Sequence, residues 1–270
     1  MRLLIRHVTT YDYGAPVGWG LAQLRLTPKA SPTQRVLSWE VTAAGGRREL
    51  AFEDHHRNRV DLVSLDPGAT RLVIEAGGEV EVDDAAGVVG AHGGFAPLWL
   101  FGRVTPRTRA GQGCRRLLQS LSGASEVLPR LHALSAAVAE AVAWTEGAGD
   151  VKDGAEEALA AGRGVCQDQA HVFIACARAL GIPARYVSGY LLLDGGREAG
   201  ASHAWAEAWV PDLGWVGFDA ANRMCPDERY VRVATGLDYA EAAPVSGTRQ
   251  RAGPGGAAER LAVTVAVTAQ

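Results

Sequence analysis

The first 82 residues consist of short runs in which apolar and polar side chains alternate. Alternation with a period of two places one face of an extended chain in a core and the other in solvent, as in half-buried β-strands. Turn-forming clusters separate the runs at regular intervals, which favours an antiparallel β-sandwich. The predicted strands are the N-terminal segment from Met1, Ala22–Leu26, Val36–Val41, Glu49–Phe52, Arg59–Leu65, Arg71–Ala76 and Glu79–Val82, with a turn at Gly77-Gly78 between the last two.

The pattern changes after this region. The stretch Asp83–Gly94 is small and polar and is predicted to be a linker. Apolar residues then recur at helical spacing, which predicts helices over Pro97–Phe101, Gly113–Leu121, Leu131–Trp144 and Val151–Ala161. The tail returns to strands at Tyr230–Val233 and, after a loop rich in glycine and alanine through Gly256, at Leu261–Thr268. We therefore expect a β-sandwich domain (residues 1–84), an α+β core (95–240) and a C-terminal strand (255–270) that returns to one of them.

A further helix is predicted to begin at Cys166. Gly162 and Gly164 before it allow a sharp turn, and Gly181 with Pro183 marks its end. The apolar residues that recur at helical spacing between these points are Ala170, Phe173, Ile174, Ala177 and Leu180. Backbone N–H groups in the first turn of a helix have no intrahelical partner, and they favour a thiolate over a thiol. The alternative is that Cys166 is a small buried hydrophobic residue.

A β-hairpin is predicted downstream of this helix. Bulky side chains alternate with alanines from His203 to Trp209, and the turn Pro211–Gly214 leads into a second strand, Trp215–Asp219. Pairing of the two strands places His203 and Asp219 side by side at the open end of the hairpin. Other roles for these residues are a half-buried strand histidine and a turn-forming aspartate at a strand end.

Together the three segments supply a thiol, an imidazole and a carboxylate. A thiolate attacks an acyl carbon, an imidazole takes and returns the proton, and a carboxylate orients the imidazole. This set indicates a cysteine-nucleophile acyl-transfer site formed by Cys166, His203 and Asp219. Six neighbouring residues are candidates for stabilising the oxyanion or supporting the triad: Gln167, Asp168, Tyr190, Trp205, Glu207 and Asn222.

Several of these neighbours also have simpler explanations. Gln167 either donates its amide N–H to the oxyanion or lies on the surface at the helix start. For Asp168, satisfying first-turn N–H groups is favoured over chemistry. Trp205 either lines the cleft or packs in the core. His171, one turn after Cys166, is expected to be a packed polar residue and not a second base.

At these residues the sequence resembles the transglutaminase-like superfamily, in the bacterial group described as candidate cysteine proteases. The likeness runs through Gly164–Leu191 and Ser202–Asn222, and His7–Val17 is similar to the N-terminal domain of that group. The resemblance implies a papain-like core, in which the helix bearing the cysteine packs on an antiparallel sheet. It also implies that Cys166 is the nucleophile, His203 the general base and acid, and Asp219 the orienting carboxylate. Two departures concern the cleft: Gln169 replaces an aromatic residue, and Ala220-Ala221-Asn222 replaces Pro-Thr-Asn.

Composition and charge limit the other possibilities. A chain of 270 residues with a net charge of −3 fits a two-domain enzyme and gives no reason to expect nucleic acid or an anionic membrane as partner. The opening segment has three consecutive apolar residues, Leu3–Ile5, whereas a secretion signal needs about 7–15, so we expect a cytoplasmic location. The four cysteines show no zinc-ligand spacing, so no metal or other cofactor is expected.

The expected substrate is a peptide or another amide, bound covalently as a thioester on Cys166. Hydrolysis of that thioester makes the protein a peptidase or amidase, and this outcome is favoured. Attack by an amine instead makes it a transglutaminase-type cross-linking enzyme. A third hypothesis is a catalytically idle binding module, which has no need of an aligned thiol, imidazole and carboxylate. The sequence leaves the acyl donor, the acceptor and the oligomeric state open.

Overall fold

The computed structural model describes residues 1–121, 126–150, 152–193, 202–253 and 258–270. Val151, at the start of one predicted helix, and residues 255–257 of the predicted C-terminal segment lie outside the described residues. Within these ranges, no helix has the length and apolar character needed to cross a membrane.

The N-terminal region is built from strands. They are β1 (Arg2–Asp12), β2 (Val17–Leu24), β3 (Gln34–Ala44), β4 (Gly46–Glu53), β5 (Arg59–Leu65) and β6 (Arg71–Val82).

Helices and strands mix in the region that follows. Its elements are β7 (Val88–Gly90), a 3₁₀ helix (Leu98–Gly102), α1 (Gln112–Ser120), α2 (Val127–Ala141), β8 (Ala143–Trp144), α3 (Ala155–Ala161), β9 (Arg163–Gly164), α4 (Cys166–Ala179), β10 (Ala184–Leu191), β11 (His203–Val210), β12 (Gly214–Phe218), β13 (Tyr230–Gly236) and α5 (Tyr239–Ala242). The chain ends with β14 (Val245–Arg251) and β15 (Arg260–Ala269).

Three larger antiparallel sheets organise these strands. Two four-stranded sheets, in the orders β15-β1-β6-β3 and β14-β2-β5-β4, enclose an apolar core that includes Leu24, Val63 and Ile74. A five-stranded sheet, β13-β10-β11-β12-β7, forms the second core together with the helices. The predicted α+β class is confirmed, with the β-rich region at the N-terminus.

The two last strands complete the N-terminal sheets. Strand β15 pairs with β1 over its whole length, from Leu3 opposite Ala269 to Asp12 opposite Arg260. Strand β14 pairs with β2, although the sequence Val245–Arg251 was expected to be a loop. The expectation was wrong because this strand is an edge strand with polar residues on both faces, so it shows no alternation.

Two other expectations are corrected by strand pairing. Residues 71–82 form the single strand β6, and Gly77 and Gly78 lie inside it. A Cβ on Gly78 would lie 2.1 Å from the carbonyl oxygen of Ser38 on β3, so these glycines allow neighbouring backbones to approach closely and do not form a turn. The predicted linker also contributes β7, whose Gly90 is opposite Trp215 on β12.

Helix α4 lies against the middle of the five-stranded sheet. Its Phe173 shares a core with Ala204, Ala206 and Ala208 of β11, since side chains of methyl size allow a helix to lie close to a strand. Trp205 and Glu207 project from the other face of β11, toward the N-terminal sheets. The predicted hairpin is confirmed by the β11–β12 pairing, which runs from Ala206–Phe218 to Val210–Gly214.

Candidate active site

Cys166 is the first residue of α4 and is half-buried. The turn before the helix is tight: the Asp168 carboxylate accepts the Val165 N–H at 2.8 Å. A Cβ on Gly164 would lie 2.6 Å from an Asp168 carboxylate oxygen, so glycine is required for this approach. Asp168 therefore caps the start of the helix. This structural role was favoured for Asp168 over a part in the chemistry. Burial raises the pKa of Asp168, although the hydrogen bond from the Val165 N–H acts to lower it.

His203 and Asp219 meet at the open end of the hairpin. The His203 Nε2 lies 2.7 Å from an Asp219 carboxylate oxygen, and Asp219 is buried. A backbone bridge between Asp219 and Met224 continues β12 by one residue and fixes the carboxylate at the strand end. The His203 ring also interacts with the Cys166 side chain, and Nδ1 is the ring nitrogen that the bond to Asp219 leaves available. The structure thus brings the three predicted residues together.

The Asp219 carboxylate is held by five donors. One oxygen accepts from His203, from the Asn222 side chain at 2.7 Å and from the Tyr230 hydroxyl at 2.8 Å. The other accepts the backbone N–H groups of Ala221 and Asn222, at 2.9 and 3.3 Å. Burial alone would raise the pKa of Asp219, but the bonds from His203, Asn222 and Tyr230 lower it, so Asp219 is an anion.

The charge state of His203 follows from its two partners. Burial disfavours the imidazolium, but the bond to Asp219 and the interaction with Cys166 outweigh it and raise the pKa of His203 to about 10. The resulting picture is an imidazolium between a carboxylate and the Cys166 side chain. An imidazolium in this position holds a proton that can be given to a leaving group.

Aromatic side chains enclose the His203 ring. The ring centroid of Trp205 lies 6.1 Å from it, and that of Tyr230 lies 5.8 Å away. Trp205 and Tyr230 also contact each other edge to face at 5.5 Å. Trp205 and Asn222, two of the predicted neighbours, are therefore beside the triad.

Two predicted neighbours lie elsewhere and are corrected. The Tyr190 hydroxyl is 3.0 Å from His7 Nδ1 on β1, so this residue joins the core to the N-terminal sheet. Glu207 is fully buried between Arg185 and Arg232, at 2.6 and 2.7 Å. It points from the same face of β11 as His203 but is four residues further along, about 13 Å for an extended chain.

Three further residues of α4 lie close to Cys166 in the sequence: Gln167, Gln169 and His171. Gln167 follows Cys166 at the start of α4 and is half-buried. Gln169 is buried and donates to the Val142 carbonyl at 2.7 Å, which joins α4 to the end of α2. His171 accepts the backbone N–H of Tyr239 at 3.2 Å, and burial together with nearby arginines lowers its pKa to about 3. It is therefore a neutral packed residue, as expected.

Tyr230 is a neighbour of the triad that sequence reasoning missed. It begins β13, which is separated from the His203 strand by β10 in the sheet. Only the order of strands brings its hydroxyl to Asp219, and nothing in its local sequence indicates that contact.

One group of potential metal ligands occurs in the described ranges. His55, His56 and Glu241 offer ligand atoms within 4.8 Å of one another, and none of them belongs to the triad. The His56 Nε2 is already hydrogen-bonded to Glu241 at 2.7 Å.

The raised pKa of His203 predicts a pH dependence of stability. A group whose pKa is higher in the folded state stabilises that state fully below its unfolded pKa of 6.5, and this contribution is lost as the pH rises through about 10. The unfolding free energy, measured by urea titration, should fall more steeply over this interval in the wild type than in His203→Asn. The exposed His132→Asn is the matched control and should follow the wild type. Parallel pH profiles for wild type and His203→Asn would contradict the charge assignment.

Tyr230 is predicted to act as a positioning residue. Tyr230→Phe keeps the ring and removes one donor from Asp219, which should lower kcat about fivefold and leave KM unchanged. Tyr11→Phe, in the N-terminal sheets, is the control and should leave both constants unchanged. An unaltered kcat in Tyr230→Phe would show that the hydroxyl does not help to orient Asp219.

The site combines the Cys166 thiol at the start of a helix with the His203 imidazole and the Asp219 carboxylate at strand ends. This arrangement is typical of proteins with a cysteine nucleophile that reacts with acyl carbons. Residues 115–220 match the transglutaminase-like superfamily, and residues 3–81 match the bacterial transglutaminase-like N-terminal region. The chain therefore contains a transglutaminase-like core that follows a bacterial transglutaminase-like N-terminal region. Members of the transglutaminase-like superfamily are generally enzymes.

Known proteins resemble the chain over different lengths. It is 29% identical over 263 residues to an uncharacterized protein of Mycobacterium leprae, covering 91% of this chain and 92% of that protein. It is 34% identical over 109 residues to a protein-glutamine gamma-glutamyltransferase of Pseudomonas aeruginosa, covering 34% of this chain and 15% of that protein. A crystal structure of a candidate cysteine protease from Cytophaga hutchinsonii has a TM-score of 0.76 and 20% identity, covering 97% of this chain and 90% of that one. This last similarity shows the fold.

Proposed function

We propose that this protein is a cysteine-dependent acyl-transfer enzyme that hydrolyses amide or peptide bonds through a thioester on Cys166. The position of His203 carries the proposal: its Nε2 bonds Asp219, and its ring interacts with the Cys166 side chain. A carboxylate on one side of an imidazole and a thiol on the other can activate the nucleophile and align both proton transfers.

The chemistry proceeds in two steps. The Cys166 thiolate attacks the amide carbonyl carbon, and the carbonyl electron pair moves to oxygen. As the C–N bond breaks, the His203 imidazolium gives its Nδ1 proton to the leaving amine, which produces a thioester and a neutral ring. The neutral ring then accepts a proton from the attacking water, the C–S bond breaks, and the acid leaves with the thiolate restored.

The start of α4 supplies donors for the oxyanion. The backbone N–H groups of Cys166 and Gln167 have no acceptor in the described part of the chain, as expected for the first turn of a helix. Donors that are held in place before the reaction stabilise the charge on the oxygen without reorganisation. Trp205, beside His203, is proposed to wall the cleft next to the reacting groups.

Transamidation is the second candidate function. This candidate is favoured because the chain is 34% identical, over 109 residues, to a protein-glutamine gamma-glutamyltransferase. Both functions share the thioester and differ in whether water or a primary amine resolves it.

The test is to trap the thioester and identify its product. The protein is incubated with glutamine-containing peptides, quenched in acid and analysed by mass spectrometry for an acyl group on Cys166. Parallel incubations with and without methylamine then separate the functions: conversion of glutamine to glutamate or peptide cleavage indicates hydrolysis, and a methylamide indicates transamidation. Cys166→Ala is the control. If a broad peptide mixture gives neither an acyl group on Cys166 nor any of these products, the proposed enzymatic function is wrong.

A further inference from the structure

A cavity lies between the N-terminal sheets and the five-stranded sheet. Its volume is about 560 Å³, within the range of sites for small molecules. One wall is formed by the segment after β2, the end of β4 and the turn into β5, and the other by β10, β13 and the β7 region. None of the three triad residues lines it.

Positive charge dominates the wall contributed by the core. Arg185 and Arg232 both line the cavity, and they share one carboxylate, that of Glu207. The Arg185 side chain is 8% exposed and that of Arg232 is 14% exposed, so two guanidinium groups are largely removed from water with a single counter-charge. Of the two positive charges, on Arg185 and Arg232, the Glu207 carboxylate therefore balances only one.

Both guanidinium groups retain unused donors. Arg185 bonds Glu207 through Nε, and in the described part of the chain its two terminal nitrogens have no acceptor. Its guanidinium carbon lies 3.8 Å from the Trp215 ring centroid, which fixes the plane of the group. Arg232 uses Nε and one terminal nitrogen on Glu207, and the other terminal nitrogen has no acceptor among the described residues. Two arginines with free edges are suited to binding carboxylates or phosphates.

Lys29 adds a third basic side chain from the N-terminal side. Its Nζ donates to the His56 carbonyl at 2.6 Å and to the Thr235 hydroxyl at 2.7 Å, both neutral acceptors. It forms no ion pair with any described residue of the chain. Burial, followed by repulsion from Arg232 and Arg185, lowers the pKa of Lys29 well below its usual value. The arginines of the opposite wall therefore disfavour the ammonium form of Lys29.

The rim of the cavity carries further positive charge. Arg57 and Arg59 line it with side chains that are 56% and 52% exposed. Glu53 is the acidic residue of the lining, and it lies 3.6 Å from Arg57. Asp61, outside the lining, lies 3.8 Å from Arg59 and is shared with Arg48. Buried cations without counter-charges destabilise a protein, and an anion bound between them offsets that cost.

We propose that this cavity binds a small polyanion, a metabolite with two or more carboxylate or phosphate groups. One anionic group would bind the free edges of Arg185 and Arg232, and another would lie near Lys29 and the rim. Because the two walls belong to different parts of the chain, the ligand joins them and stabilises the folded protein. The proposal is independent of the reaction at Cys166.

Binding can be measured on the full chain by calorimetry and by thermal unfolding, with citrate and pyrophosphate as separate probes at constant ionic strength. We expect saturable binding of at least one probe and a rise in Tm that sodium chloride does not reproduce. Binding of pyrophosphate alone assigns a phosphate ligand, and binding of citrate alone assigns a carboxylate ligand.

Variants then locate the site. Lys29→Met should weaken binding by at least about tenfold, and the exposed Arg6→Gln, on β1, is the charge-matched control that should bind as the wild type. If Lys29→Met does not fold, the rim variant Arg57→Gln/Arg59→Gln should still weaken binding about threefold and reduce its salt dependence. The proposal is overturned if neither probe binds the wild type up to about 10 mM. It is also overturned if the folded variants bind as tightly as the wild type.

Discussion

Replacement of Cys166 by alanine should reduce turnover of a confirmed acyl donor by at least about 10⁴-fold and leave the fold intact. The sulfur is the proposed atom that bonds the acyl carbon, and no other described side chain stands in the same relation to His203. Cys166 is half-buried at a helix start, so its loss removes little core volume. Single-turnover kinetics measure the first effect, and circular dichroism with thermal unfolding checks the second.

Companion variants make this result specific. His203→Ala should lose nearly as much activity as Cys166→Ala, and Asp219→Asn should lose less, because orientation is one part of the catalysis. Cys225→Ala is the matched control, since Cys225 is also a half-buried free cysteine and lies outside the triad. Full activity in Cys166→Ala, or equal losses in Cys166→Ala and Cys225→Ala, would show that the thioester mechanism is wrong.

Replacement of Glu207 by glutamine should destabilise the folded protein by about 3–5 kcal/mol. Burial alone would raise the pKa of Glu207, but Arg185 and Arg232 lower it to about 2, so the residue is a buried anion between two cations. Glutamine has a similar shape and no charge, and it leaves both guanidinium groups buried without a counter-charge. The free energy of unfolding, from urea titration at neutral pH, measures the loss.

The control for this variant is Glu140→Gln, which removes an exposed carboxylate on α2. Surface substitutions of this kind change stability by less than about 0.5 kcal/mol. Because folded Glu207 binds its partners only as an anion, the wild type should also lose this stability as the pH falls toward about 2, whereas the variant has no such carboxyl group to titrate. Equal stability of Glu207→Gln and Glu140→Gln would mean that the arginine pair does not depend on Glu207.

The local structure of the candidate site could be predicted from the sequence. Glycines at 162 and 164 followed by an apolar helical pattern placed Cys166 at a helix start, where the structure has it. Alternation on both sides of a tight turn predicted the hairpin, and its register brings His203 within 2.7 Å of Asp219. These features depend on residues close together in the chain, so their patterns are visible in short windows.

The supporting contacts could not be predicted in the same way. Tyr190 and Glu207 were named as candidates to support the triad, yet they bond His7 and two arginines. Tyr230 was missed, and it donates to Asp219. Side chains on one strand face point in the same direction but are separated by several residue lengths, so sequence proximity does not decide which of them reaches a given group.

The sequence by itself therefore determined the α+β class, the helix that begins at Cys166 and the hairpin with His203 and Asp219 at its open end. Only the tertiary structure decided how the tail completes the N-terminal sheets, with β14 on β2 and β15 on β1. It also decided which cations surround Glu207 and which donors hold Asp219. The physical reason is that periodicity reports which face of an element is buried, whereas the partner across that face comes from distant parts of the chain.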